Sequence, residues 1–113
     1  NNLKKIDAAL AADHGNTLKQ LWCSYNKIST LDGIDKLLAL EVLYISNNSL
    51  KSLDELSKLG ELKNLKDVLF LGNEMYNGLS KEERRIEVLK RIPHVTKIDG
   101  EMVTPAERES AGV

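Results

Sequence analysis

From Leu18 onward the apolar side chains recur at fixed intervals. Leu18, Leu21, Cys23, Ile28, Leu31, Ile34 and Leu37 are followed 22 positions later by Leu40, Leu43, Ile45, Leu50, Leu53, Leu56 and Leu59, and Asn26 is followed by Asn48. A further step of 25 carries Leu40, Leu43, Ile45, Asn48 and Leu50 onto Leu65, Val68, Phe70, Asn73 and Met75. Such a period marks a solenoid, in which no unit can bury its own apolar face and each relies on its neighbours. Within each copy the spacing changes. Leu21 and Cys23, Leu43 and Ile45, and Val68 and Phe70 alternate at period two and predict short strands. Leu31, Ile34 and Leu37, and Leu53, Leu56, Leu59 and Leu62, stand three apart and predict one side of a short helix behind the sheet.

The phrase L-x-x-L-x-L-x-x-N-x-L is that of the leucine-rich repeat, an α/β solenoid with a curved parallel β-sheet and helices or loops on its outer side. Its asparagine has a structural job. Where the chain leaves the strand its backbone groups lose their sheet partners, and a side-chain amide that both donates and accepts can replace them. Asn26, Asn48 and Asn73 are therefore expected to form a stacked ladder, with no catalytic or ligand role. Asp54, Glu55, Lys58 and Glu61, lying between the spaced leucines, are expected to face water.

The two ends differ. Asn1-Asn2-Leu3 supplies the last N-x-L of a fourth copy, followed by Ile6, so the chain begins mid-repeat and further residues are expected before it. At the other end Ser80-Lys81-Glu82-Glu83 has the spacing of a capping box, Ile86, Leu89 and Ile92 form an apolar stripe with Val88 beside it, and Pro93 stops the helix. Arg84, Arg85, Lys90 and Arg91 are expected on its solvated face. His94 to Gly100 repeats the strand phrase in reduced form, with Val95 and Ile98 inward. The expected organisation is a repeat domain over 1–103, of which 79–103 is a C-terminal cap, followed by a polar tail over 104–113 that is mobile or one frayed helical turn.

Strand phase then assigns the opposite face. With Leu21 and Cys23 inward, Gln20, Trp22 and Ser24 point out; Leu43 and Ile45 leave Val42, Tyr44 and Ser46 outside; Val68 and Phe70 leave Asp67, Leu69 and Leu71 outside. A one-residue slip would bury Gln20, Ser24, Ser46 and Asp67 and expel the leucines. Trp22, Tyr44 and Leu69 hold the same place in strands about 4.8 Å apart, so they should stack into one apolar ridge flanked by Val42 and Leu71. A ridge of that span covers on the order of 400 Å², the range of an interaction site. The nine outward residues are the candidate protein-binding set; the competing expectation is that the C-terminal tail or a missing N-terminal part folds across them.

Composition narrows the classes. The chain has 113 residues, 42% hydrophobic and 29% charged, as for one globular domain. Sixteen basic and 17 acidic side chains, a net charge of -1, give no global field for nucleic acid or anionic lipid. Gln20, Ser24, Ser46, Asn47 and Asp67 supply no phosphate track beside the aromatics, so an RNA-stacking role is the weaker competitor. No apolar run approaches the ~18 residues of a membrane span, and Asn1 to Lys5 lead into no signal-like core, so the chain reads as cytosolic. Asn47-Asn48-Ser49 fits the glycosylation pattern by chance. Cys23, the single cysteine, excludes an internal disulfide and reads as a small buried hydrophobe. His14 and His94 are isolated, and Gly72, Gly78 and Gly100 are scattered turn residues, so no metal site, cofactor site, catalytic group or phosphate loop is expected.

"LKQLWCSYNKI", "LEVLYISNN", "LFLGN" and the closing "RIPHVTKIDG" resemble the leucine-rich-repeat light chain of axonemal outer-arm dynein, from Asn1 to about Val103. The closing phrase is shared with short-repeat relatives, among them the leucine-rich regulator of type 1 protein phosphatase and the spliceosomal U2-associated leucine-rich protein. The resemblance implies a non-catalytic subunit that docks a dynein heavy-chain motor domain, with or without a further contact to tubulin. It further implies a place in the cytoplasm and cytoskeleton, at the axoneme of a cilium or flagellum, and a role in modulating motility. By position, Trp22, Tyr44 and Leu69 would lie on the binding face. The family's N-terminal helix and additional repeats have no counterpart in this sequence, and its C-terminal arm matches residues after Met102 only loosely.

Overall fold

Three parallel strands in strict register carry the repeat. The computed structural model describes residues 17–113; the expected partial repeat at Asn1–Leu3 and Ile6 and the loop around His14 lie outside the described residues. Strands β1 (Gln20–Trp22), β2 (Val42–Tyr44), β3 (Asp67–Leu69) and β4 (Lys97–Ile98) pair in parallel and in chain order, and β5 (Glu101–Met102) closes the sheet antiparallel to β4. Leu21 stands beside Leu43, Leu43 beside Val68, and Val68 beside Ile98. The ladder runs on past the strands, where Cys23 N donates to Tyr44 O at 2.8 Å and Ile45 N donates to Leu69 O at 3.0 Å.

The returning segments are 3₁₀ helices at Ile34–Lys36, Leu53–Glu61 and Glu74–Tyr76. The three-residue spacing explains this choice. At 3.0 residues per turn, positions i and i+3 eclipse, so leucines three apart stay on one side where an α-helix would rotate them away. Leu56, Leu59 and Leu62 are accordingly fully buried against Leu31, Ile34 and Leu37 in a single core.

The asparagines behave as a ladder. Asn48 Nδ2 donates to Ile45 O, Ser46 O and, one turn back, Cys23 O, while its Oδ1 accepts from Ile28 N at 2.9 Å. Asn73 repeats the pattern on Phe70 O, Ile45 O and Leu50 N, and Asn26 Nδ2 donates to Cys23 O. The residue before each of them adopts a left-handed backbone: Tyr25 at φ 60°, Asn47 at 53° and Gly72 at 85°. At the fourth rung Asp99 and Gly100, both at positive φ, form the two-residue turn between β4 and β5, as a type I′ hairpin requires.

Helix α1 (Lys81–Arg91) begins with the expected capping box, Ser80 Oγ accepting from Glu83 N and Glu83 Oε1 from Ser80 N. Val88, Leu89 and Ile92 are fully buried, and Ile86 only half, so the stripe is rotated slightly towards Val88.

Three expectations are corrected. Residues 104–113 carry helix α2 (Pro105–Ala111), with a capping box at Thr104 and Glu107 and a left-handed C-cap at Gly112, docked on α1. The signal was present in Thr-Pro-x-Glu; what holds the helix is Arg85. Expected on a solvated face, Arg85 is buried, bonding Ile98 O at 2.6 Å, Glu101 O at 3.1 Å, Met102 O at 3.0 Å and the Glu107 carboxylate. Glu55 is half-buried, because its Oε1 accepts from Leu31 N at 2.8 Å and from Thr30 Oγ1, tying one returning segment to the next. Lys58 completes that clamp by pairing with Glu55 and Asp32.

Candidate protein-binding face

The strand register decides which side chains share the open face. Trp22 stands beside Tyr44 and Tyr44 beside Leu69; Gln20, Val42 and Asp67 form the parallel row one step back. The Trp22 and Tyr44 rings lie 5.8 Å apart between centroids with planes 16° apart, an offset stack. Trp22 is 70% exposed, Gln20 and Leu71 are exposed, and Tyr44, Leu69, Val42 and Asp67 are half-buried.

Asp67 is part of the aromatic arrangement: Tyr44 donates its phenolic proton to Asp67 Oδ2 at 2.8 Å. That hydrogen bond, with desolvation and the carboxylate's charge adding to it, raises the Tyr44 phenol above the ordinary tyrosine range, so the ring stays neutral and donating.

Ser46 departs from the expected outward set. It is buried, with its N and Oγ both bonded to Ser24 Oγ at 3.1 and 2.9 Å. Beyond the strand end the two hydroxyls satisfy each other, and their row closes this side of the face.

One exposed residue extends the face beyond the nine, and a second large exposed side chain stands at the turn after β1. Met102 pairs with Lys97, which pairs with Asp67, so all three point to one side, and Met102 is 64% exposed at the edge farthest from Trp22. The Asp-Gly turn was the signal, since a two-residue hairpin restores the phase of the strand that follows it. Tyr25, 67% exposed, sits just past β1 at a place where the other repeats carry Asn47 and Gly72. The C-terminal residues do not cross the ridge. Arg108 donates to Pro93 O at 2.6 Å and Val95 O at 2.8 Å, holding α2 against the cap.

The remaining candidate chemistry is structural. Cys23 is buried, and burial pushes its thiol up to about 11. His94 Nε2 lies 2.7 Å from Leu62 O. Among the described residues no group of three or more His, Cys, Asp or Glu is placed to hold a metal ion, and no helix is long and apolar enough to cross a membrane.

Known proteins agree with this geometry. The family model described as leucine-rich repeats (2 copies) matches residues 16–58. Dynein axonemal light chain 1 of Chlamydomonas reinhardtii is 45% identical over 117 residues, covering 100% of this chain and 58% of that protein. Cilia- and flagella-associated protein 410 of Mus musculus is 35% identical over 91 residues, covering 80% of this chain and 36% of that protein. The chain thus spans about half the length of these relatives or less. Among solved structures, a chain of the Drosophila melanogaster SNF/U2A' complex superposes with a TM-score of 0.79 at 20% identity, over 99% of this chain and 62% of that one, a likeness of fold alone. Repeat phrase, strand register and similarity along the whole chain coincide: the chain is a leucine-rich-repeat solenoid, similar over its full length to axonemal dynein light chain 1.

Proposed function

We propose that this chain is a non-catalytic subunit of the axoneme of a cilium or flagellum that docks a dynein heavy-chain motor domain through the Trp22–Tyr44–Leu69 ridge and so modulates motility. The observation that carries the reading is the in-register row itself, with a stacked indole at its exposed end. Burying ~400 Å² of such surface releases on the order of 10 kcal/mol gross, enough to anchor an interface after the costs of association. The names of relatives, an axonemal dynein light chain and a cilia- and flagella-associated protein, support the compartment and the partner class.

Trp22 is the only tryptophan, so it reports directly on occupancy. Titration of an axonemal heavy-chain motor fragment is expected to shift Trp22 emission to the blue and to shield it from a soluble quencher. Trp22→Ala and Tyr44→Ala are each expected to weaken binding by more than ~1 kcal/mol with the fold retained, as for central aromatic anchors. Full-strength binding by both variants would remove the ridge from the mechanism. A pull-down from ciliated cells separates this reading from the phosphatase-regulator and spliceosomal ones, since each names a different captured protein.

A further inference from the structure

We infer that the ridge ends in a receptor for a carboxylate of the docked partner, with Arg84 as its anchor; the inference rests on the docking reading above. Arg84 leaves the first turn of α1 and lays its guanidinium over the Tyr76 ring, Cζ standing 5.3 Å from the ring centroid. Tyr76 is buried and fixed in turn, donating its hydroxyl to Asp99 Oδ2 at 2.8 Å. Among the described residues Arg84 Nε has no hydrogen-bond partner, and it is sealed from solvent. Buried donors are nearly always paired, so an orphan on a charged group calls for a function.

The surroundings say what that function is. Arg84 lines a cleft of about 240 Å³ with Leu71, Lys81, Arg85, Asp99 and Glu101. Leu71 is also the exposed flank of the ridge, so the cleft opens where the apolar row stops. Every other charge in the lining is engaged. Lys81 pairs with Glu101 at 2.5 Å, Arg85 holds three carbonyls and Glu107, and Asp99 accepts from Phe70 N and Tyr76 Oη. Among the described residues Arg84 is the one charge in the lining with neither hydrogen bond nor ion pair.

A guanidinium stacked on an aromatic ring keeps its in-plane donors free of the ring, and with Nε sealed it is the fork of the two terminal nitrogens that matches a carboxylate. The carboxylates of Asp99 and Glu101 beside it leave room for one more negative charge and no track for a phosphodiester chain. The ligand is therefore an Asp or Glu side chain, carried next to the apolar residues that cover Leu69 and Leu71.

The test measures Kd for the heavy-chain motor fragment with the wild type, Arg84→Gln, Arg84→Lys and Trp22→Ala, at about 0.05 M and about 0.5 M salt. Arg84→Gln is expected to bind about fivefold more weakly at the lower salt, with the gap closing at the higher. Arg84→Lys keeps the charge without the planar fork and is expected to lose about threefold; it carries the test if the Gln variant fails to fold by circular dichroism, and unchanged affinity would then overturn the proposal. Trp22→Ala weakening binding while Arg84→Gln matches the wild type at both salts overturns the carboxylate receptor and leaves the ridge standing. A wild type that does not bind overturns the docking reading and this inference with it.

Discussion

The Tyr44 hydroxyl reaches Asp67 Oδ2 at 2.8 Å, across the same pair of strands that sets Tyr44 beside Leu69. A phenol pinned at its oxygen has lost its main torsional freedom before any partner arrives, and the ring is left lying against Trp22. Asp67 thus positions the aromatic pair. Asp67→Ala is expected to leave the thermal midpoint within about 2 °C, since the site is half exposed, while weakening heavy-chain-fragment binding about threefold through lost preorganisation. Broader acrylamide quenching of Trp22 should accompany the loss; binding and quenching both equal to the parent would free the pair from Asp67.

Asn48 offers the sharpest test of what holds the solenoid. Its side chain satisfies four backbone groups in two successive turns. Asn48→Ala strips partners from buried carbonyls and from Ile28 N, at a cost of about 1–3 kcal/mol in unfolding free energy. Urea denaturation reads the change as a lower midpoint with an unaltered slope. A midpoint equal to the wild type would contradict the ladder.

Arg85 is expected to matter as much to the cap as Asn48 does to the repeats. Arg85→Met leaves Glu107 without its partner and three carbonyls without a donor, costing about 3 kcal/mol. The pair also predicts a pH dependence. The Arg85 hydrogen bond holds the Glu107 carboxyl below the usual range. A depressed carboxyl contributes stability that is fully present above its unfolded value of about 4.3 and fades as pH falls through the lower folded value. Wild-type thermal midpoints should therefore drop on acidification below about pH 4.3 more steeply than those of Arg85→Met. Parallel curves would show that the pair contributes nothing.

Tyr25 should be replaceable at a gain in stability. An aromatic residue at φ 60° occupies a backbone region that suits Asn47 and Gly72, its counterparts in the next two repeats. At Gly72 the crowding is severe, since a Cβ would stand 2.3 Å from Asn47 Oδ1. Tyr25→Asn relieves strain on the order of 1 kcal/mol while giving up a ring that is mostly in water. A raised thermal midpoint is the expected result, and a lowered one would mean the ring makes contacts that its exposure does not show.

Much of this protein is legible in its sequence. The spacing of Leu21, Leu43 and Val68 located the strands, and the asparagines located the turns. The phase of the strands placed Trp22, Tyr44 and Leu69 in one row, because a strand whose one face is buried has no freedom over the other. Periodicity was less informative about Ser46, whose burial depends on the hydroxyl of Ser24 one strand away. It was silent on Arg85 and Glu55, because a charged residue next to an apolar stripe looks the same whether it faces water or the carbonyls of a neighbouring segment.

Local pattern, then, determined the repeat, the register of its rungs and the side of the sheet from which the indole projects, since these follow from backbone period and the burial of leucine. Only the tertiary structure decided which charges are engaged: Asp67 by a phenol, Arg85 by a hairpin and the C-terminal helix, and Arg84, among the described residues, by a ring alone. Hydrogen bonds and ion pairs join residues 22 to 29 positions apart in this chain, and a solenoid brings such positions together only after each turn has stacked on the one before.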